Sequence, residues 1–237
     1  MPIPNERRQQ LVAFLASLGL EEAPDLAPID EALTHTSASR SRNHERLEFL
    51  GDAVLRLAAA EHLQHQHPQL GVGACSALRA QLVSDRALAE LGAACGIDAV
   101  LLQAEATRLD PLAAPTVRAE CTEALIGGLY EAWGNLLPIH RWLSPHWQRA
   151  TAELLADPHR HNWKQALQEW SQGKGLGLPS YALEERHRSH GHPERFHSRV
   201  ELAGKPLGEG SGRSRREAEQ RAARRALEAL EAQLPSD

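Results

Sequence analysis

Over the first two-thirds of the chain, apolar residues recur at the three-to-four spacing of amphipathic helices, and strand-like alternation begins only beyond residue 180. Glu6–Leu18 predicts a helix stopped by Gly19, and Ile29–Thr36 a short one. A polar loop over Ser37–Asn43 leads into a long helix that reaches about His65 and ends before Pro68. Ser76–Ala94 carries Leu78, Leu82, Ala89 and Leu91 on its apolar positions, with Gly96 as its stop. Residues 105–115 hold two prolines and read as a loop. Helices follow over residues 116–133 and Trp142–Leu155, and nothing to that point demands a sheet.

Around Asp157–His161 the character changes. Asn162 opens a short helix that ends near Gly173, and Tyr181–Leu183 and Phe196–Leu202 alternate as half-buried strands do. Gly204-Lys205 makes a turn before a brief third strand around Leu207. Ser214–Leu230 is a long helix with Ala223, Leu227 and Leu230 facing inward. The expected architecture is an all-α domain followed by a small α+β domain of order α-β-β-β-α. Its boundaries are read at residues 5–134 for the first domain, 135–160 for a terminal helix and linker, and 161–231 for the second.

Charge sharpens that division. Residues 1–161 hold 13 Arg, no Lys and 20 acids, whereas residues 162–230 hold 13 Lys or Arg against 9 acids. An acidic module joined to a basic one suits metal-dependent catalysis tethered to polyanion binding. No run approaches the ~18 consecutive apolar residues of a membrane span. The first eight residues lack an apolar signal core, so the expectation is a cytoplasmic protein without membrane association. Cys75, Cys95 and Cys121 are odd in number and lack metal-ligand spacing, and they read as buried thiols of a reducing compartment.

The run from His44 to Leu55 carries the strongest chemistry. Glu45, Glu48 and Asp52 fall within roughly 60° of one another on a helix, with Leu47, Leu50, Val54 and Leu57 on an opposite apolar stripe. Carboxylates stacked this way repel unless a cation lies between them. Phe49 follows Glu45 at i+4, and Asp52 follows Glu48, so neither acid has a basic partner at that spacing. A bound divalent cation is the economical explanation.

This run resembles the signature of the ribonuclease III family, a pattern close to N-E-R-L-E-F-L-G-D. The resemblance implies a second acidic pair on another helix, and Glu120 and Glu123 supply it within Ala119–Tyr130. By that resemblance Asp52 and Glu123 are the catalytic carboxylates, Glu48, Glu120 and Glu123 are metal ligands, and Glu45 is a supporting residue. Oxygen donors of this kind suit Mg²⁺, with Mn²⁺ as a substitute, and no Cys or His is read among the ligands to suggest zinc. Two positions depart from the family: Glu120 stands where Asp is usual, and Val72 lies where many relatives carry a further acid. His35 is assigned a packing or hydrogen-bonding role, His62, His65 and His67 a solvated helix end, and Arg79 either a surface position or pairing near the acids.

The order α-β-β-β-α resembles a double-stranded-RNA-binding domain. That resemblance assigns Gln165, Gln168 and Gln172 to a minor groove, and His192, in a loop at Ser189–His192, to a neighbouring one. Flexible glycines at 208, 210 and 212 lead into a helix whose first turn, with Ser214, Arg215 and Arg216, suits phosphate. Arg221, Arg224 and Arg225 read mainly as surface pairing. Together the resemblances imply a homodimeric endonuclease, joined through its nuclease domain, that cuts double-stranded RNA to staggered 5′-phosphate and 3′-hydroxyl ends. Ribosomal and messenger RNA processing are its expected duties. The alternative is a duplex-RNA-binding protein whose nuclease site is weakened or lost, and Glu120 is the residue that raises it.

Overall fold

The computed structural model describes residues 3–156, 162–189 and 192–231. The join read at residues 157–161, and His190 and Gly191 of the strand loop, lie outside them. The chain divides into two compact units between Glu153 and Leu154.

The first unit is helical: α1 (Asn5–Ser17), α2 (Ala27–Ala32), α3 (Glu45–Gln66), α4 (Val72–Leu82), α5 (Asp85–Ala94), α6 (Glu105–Arg108), α7 (Ala114–Trp133) and α8 (Leu137–Ala156). Helices α3 and α7 form its centre. A Cβ on Gly51 would meet the Glu123 carbonyl oxygen, and one on Gly127 would meet the Leu47 carbonyl oxygen, so the crossing requires glycine on both sides. Leu47, Leu55, Leu125 and Ile126 are fully buried in this unit, each worth about 1.5–3 kcal/mol relative to exposure. Arg46 fastens the crossing from outside, with ion pairs to Glu31 at 2.9 Å and Glu131 at 2.7 Å.

Several expectations change here. The helix expected over Ser76–Ala94 is two, because Ser84 takes the cap position and its hydroxyl accepts the Ala87 N–H, starting α5 at Asp85. Leu88, not Ala89, is then the buried residue. The short second helix ends at Ala32, and Thr34 instead bridges to Leu102. The loop at 105–115 contains α6 and the start of α7, where Pro115 occupies a first-turn position that needs no N–H. Leu57 is 53% exposed and joins Phe49, 86% exposed, and Ala53 in an outward i, i+4, i+8 stripe. Gly51, Val54, Leu55 and Ala58 hold the inner side instead. Cys121 is buried, Cys75 and Cys95 are partly exposed, and all three are free. Among the described residues no helix is long and apolar enough to cross a membrane.

The second unit holds α9 (Trp163–Gly173), β1 (Ser180–Glu185), β2 (Phe196–Leu202), β3 (Lys205–Gly212) and α10 (Arg215–Glu231). The strands form an antiparallel sheet in the order β1-β2-β3, with a bulge at Val200/Glu201. Its core joins Leu167 of α9 and Val200 of β2 to Ala222, Ala223, Ala226 and Leu227 of α10. The third strand is longer than expected, and its glycines are contact surfaces instead of flexible leads. A Cβ on Gly208 would lie 2.5 Å from the Ala222 oxygen, and one on Gly212 would lie 2.8 Å from the Ala218 nitrogen.

Candidate functional site

Asn43 starts α3: its Oδ1 accepts the Glu45 N–H at 3.0 Å, and its Nδ2 donates to the Ser39 carbonyl at 3.1 Å. Glu48 follows one turn in and Asp52 another. Because α7 crosses at Gly51 and Gly127, Glu120 and Glu123 come to the same cleft as Glu48, together with Asp85 of α5. Burial, and then the charges of Asp52, Glu48 and Asp85, push the Glu123 carboxyl up to about 7, with Arg56 acting in the opposite direction. Glu48 is raised as well, by burial first and by Glu120 next. Like charges crowded out of water are the cause in both cases.

Two features of this centre escaped the spacing argument. Asp52 does have a basic partner at i+4, since Arg56 Nε donates to its Oδ1 at 2.7 Å. Histidine also stands among the carboxylates. His44 is 2% exposed, and its Nε2 lies 3.4 Å from Glu48 Oε2 and 3.6 Å from Glu120 Oε2. Its ring stacks on His35 at 5.1 Å and 10°. One ligand atom each of His35, His44 and Glu120 lies within 4.8 Å of the others. Burial, then the His44 charge, lowers the His35 pKa. The available signal was the position of His44 directly before Glu45.

The remaining candidates separate. Glu45 is exposed and is not among the residues that line the cleft. Val72 is 84% exposed and offers no oxygen ligand. Arg79 lines a different cleft, with His67 and Leu70. His62 is buried against the Trp147 ring at 5.3 Å instead of forming a solvated end, while His65 is exposed.

On the second unit, Gln165, Gln168 and Gln172 are exposed along one face of α9 and border a cleft with Lys164 and Tyr181. Gln165 is bonded to Asn162 and Glu169. Ser214 accepts the Glu217 N–H at 3.1 Å, and Glu217 accepts the Arg213 N–H at 2.8 Å, a capping arrangement that defines the start of α10. Arg215 and Arg216 are exposed in that first turn. His192 is partly buried and lies 3.9 Å from the His187 ring. Arg221 donates to Glu217 and to the Ser211 carbonyl, Arg224 to Glu228, and Arg225 to the Glu209 carbonyl, so these three have structural partners.

Residues 45–132 match the Ribonuclease III domain, and residues 163–230 match the Double-stranded RNA binding motif. Ribonuclease 3 of Prochlorococcus marinus is 52% identical over 202 residues, covering 85% of this chain and 81% of that protein. Ribonuclease 3 2 of Synechocystis sp. is 43% identical over 230 residues, covering 96% and 94%. Among solved structures, the nuclease domain of ribonuclease III from Campylobacter jejuni is 30% identical, covering 60% of this chain and 92% of that one at a TM-score of 0.48. The chain belongs to the ribonuclease III family. It is a double-stranded-RNA-specific endoribonuclease with a helical nuclease domain and an α-β-β-β-α RNA-binding domain.

Proposed function

We propose that Glu48, Glu120 and Glu123 hold divalent metal, Mg²⁺ with Mn²⁺ as a substitute, and that Asp52 and Glu123 are the catalytic carboxylates of RNA hydrolysis. The observation that carries this reading is the convergence of Glu48, Glu120 and Glu123 on one cleft, where burial first and neighbouring carboxylates next raise Glu48 and Glu123. An all-oxygen donor set of this kind fits a hard cation. When bound, the metal relieves phosphate charge and activates water. The chain's part is to present oxygens from two helices locked at Gly51 and Gly127, with Arg56 bonded to Asp52 beside them. Glu45, exposed at the helix start, supports the field around Glu48.

In this reading residues 5–134 are the nuclease domain, 135–160 the terminal helix and linker, and 161–231 the RNA-binding domain. Gln165, Gln168, Gln172 and His192 meet minor grooves, and Ser214, Arg215 and Arg216 meet phosphate at the positive end of α10. The exposed Phe49, Ala53 and Leu57 stripe supports a homodimer through the nuclease domain. Products carry 5′-phosphate and 3′-hydroxyl ends, and the setting is cytoplasmic processing of ribosomal precursors and messages. The test is cleavage of a long RNA duplex in Mg²⁺ beside an Asp52→Asn control. Removing a carboxylate that supports several kcal/mol of charge stabilisation should slow cleavage by ~10³-fold or more, and EDTA should abolish it. Undiminished cleavage by Asp52→Asn would overturn the site assignment.

A further inference from the structure

A third departure from the family pattern, at His44, touches one of the two already named, Glu120. Where N-E-R-L-E-F-L-G-D begins with Asn this chain has His44, and where Asp is usual it has Glu120; the two side chains approach to 3.6 Å across α3 and α7. We propose that His44 is a positioning residue for Glu120, and that the two substitutions form a compensated pair within the metal-binding site of the preceding section, on which this inference rests.

Glutamate carries one more rotatable bond than aspartate, so its carboxylate samples more directions unless something confines it. His44 is suited to confine it. The ring is 2% exposed and stacked on His35 at an interplanar angle of 10°. The backbones of the two histidines are tied down as well: His35 N–H donates to the Leu102 carbonyl at 2.8 Å, and His44 N–H donates to the Thr34 carbonyl at 2.9 Å. The ring's own Nδ1 is buried without a hydrogen-bond partner, so its polar interactions concentrate at Nε2, between Glu48 and Glu120. Nε2 there stands within ion-pair distance of a carboxylate of each helix. A shorter Asn would withdraw that nitrogen from the longer acid. An Asp at 120 would retreat from the ring and leave a buried imidazole short of its acidic neighbour. Asn with Asp needs neither contact.

A double-mutant cycle of His44→Asn and Glu120→Asp tests this. The readouts are single-turnover cleavage of a long RNA duplex and Mn²⁺ binding without RNA, followed by the electron paramagnetic resonance of free Mn²⁺. Each single variant should lose ~10-fold or more in cleavage, as sub-ångström misplacement does, and weaken Mn²⁺ binding in parallel. The double variant should return to within ~3-fold of the parent in both. His44→Gln, which keeps an N–H near the far ring nitrogen, should stay within ~3-fold. Losses that multiply in the double variant, or a His44→Gln protein as impaired as His44→Asn, overturn the pairing. A parent protein unaffected by Asp52→Asn instead sinks the underlying site, so the two failures are distinct.

Discussion

Both units bring their elements together through glycine, but to opposite ends. In the nuclease unit, Gly51 and Gly127 let two helices approach so closely that carboxylates share one cleft, and the Glu123 carboxyl is pushed up to about 7. In the RNA-binding unit, Gly208, Gly210 and Gly212 let α10 lie on β3, yet Arg215, Arg216 and the three glutamines stay exposed. Packing therefore holds an electrostatically unfavourable arrangement in the first unit, and leaves solvated charges on a platform in the second. Under the proposed metal-binding reading, a bound cation relieves the crowding of the former. Reading a polyanion's shape needs only the latter.

The sharpest way to break that contrast is Gly51→Ala. A methyl group against the Glu123 carbonyl forces α3 from α7 and misplaces both acidic pairs. Cleavage should fall by ~10²-fold or more, while duplex binding in EDTA stays near the parent value. Near-parent cleavage would show that the glycine contact does not set the site. The reciprocal variant, Arg215→Ala with Arg216→Ala, should weaken duplex binding across RNA sequences and lower the salt slope of log K by about 2. It should leave cleavage at saturating RNA almost unchanged, and an unaltered salt slope would remove these residues from the phosphate contact.

The smallest effect is one of pH on the metal-free protein. The Glu123 carboxyl, faced by Asp52 and Glu48 of α3, Asp85 of α5 and the opposing Arg56, holds its proton to about 7 when folded, against an ordinary value of 4.5. Between those values the folded state binds more protons than the unfolded one. Its stability is therefore fullest below the lower value and declines as pH rises through the higher. Glu123→Gln should flatten that decline in thermal unfolding curves taken from about pH 5 to about pH 8. Parallel curves for parent and variant would refute the attribution.

Local periodicity was enough for most of the helices, though not for α6 or the break between α4 and α5, and it was enough for the spacing of Glu48 with Asp52 and Glu120 with Glu123 and for the α-β-β-β-α order. Each of these depends on residues a few positions apart. It was not enough for Leu57, which shares the apolar spacing of Leu47 but faces outward, because only the packed neighbours decide where a stripe ends. Ser84 shows the same limit: helical spacing passed through a residue whose side chain instead caps a new helix. The role of Gly210 also depends on α10, which packs over it.

By itself, then, the sequence determined which acidic residues each helix carries and in what helical phase they stand, since phase is a property of one segment. Only the tertiary structure decided that Gly51 and Gly127 set the distance between the acidic helices, and that a buried His44 stands between Glu48 and Glu120. Those facts arise between segments, where the balance of close packing, burial and charge repulsion exists only once both helices are in place.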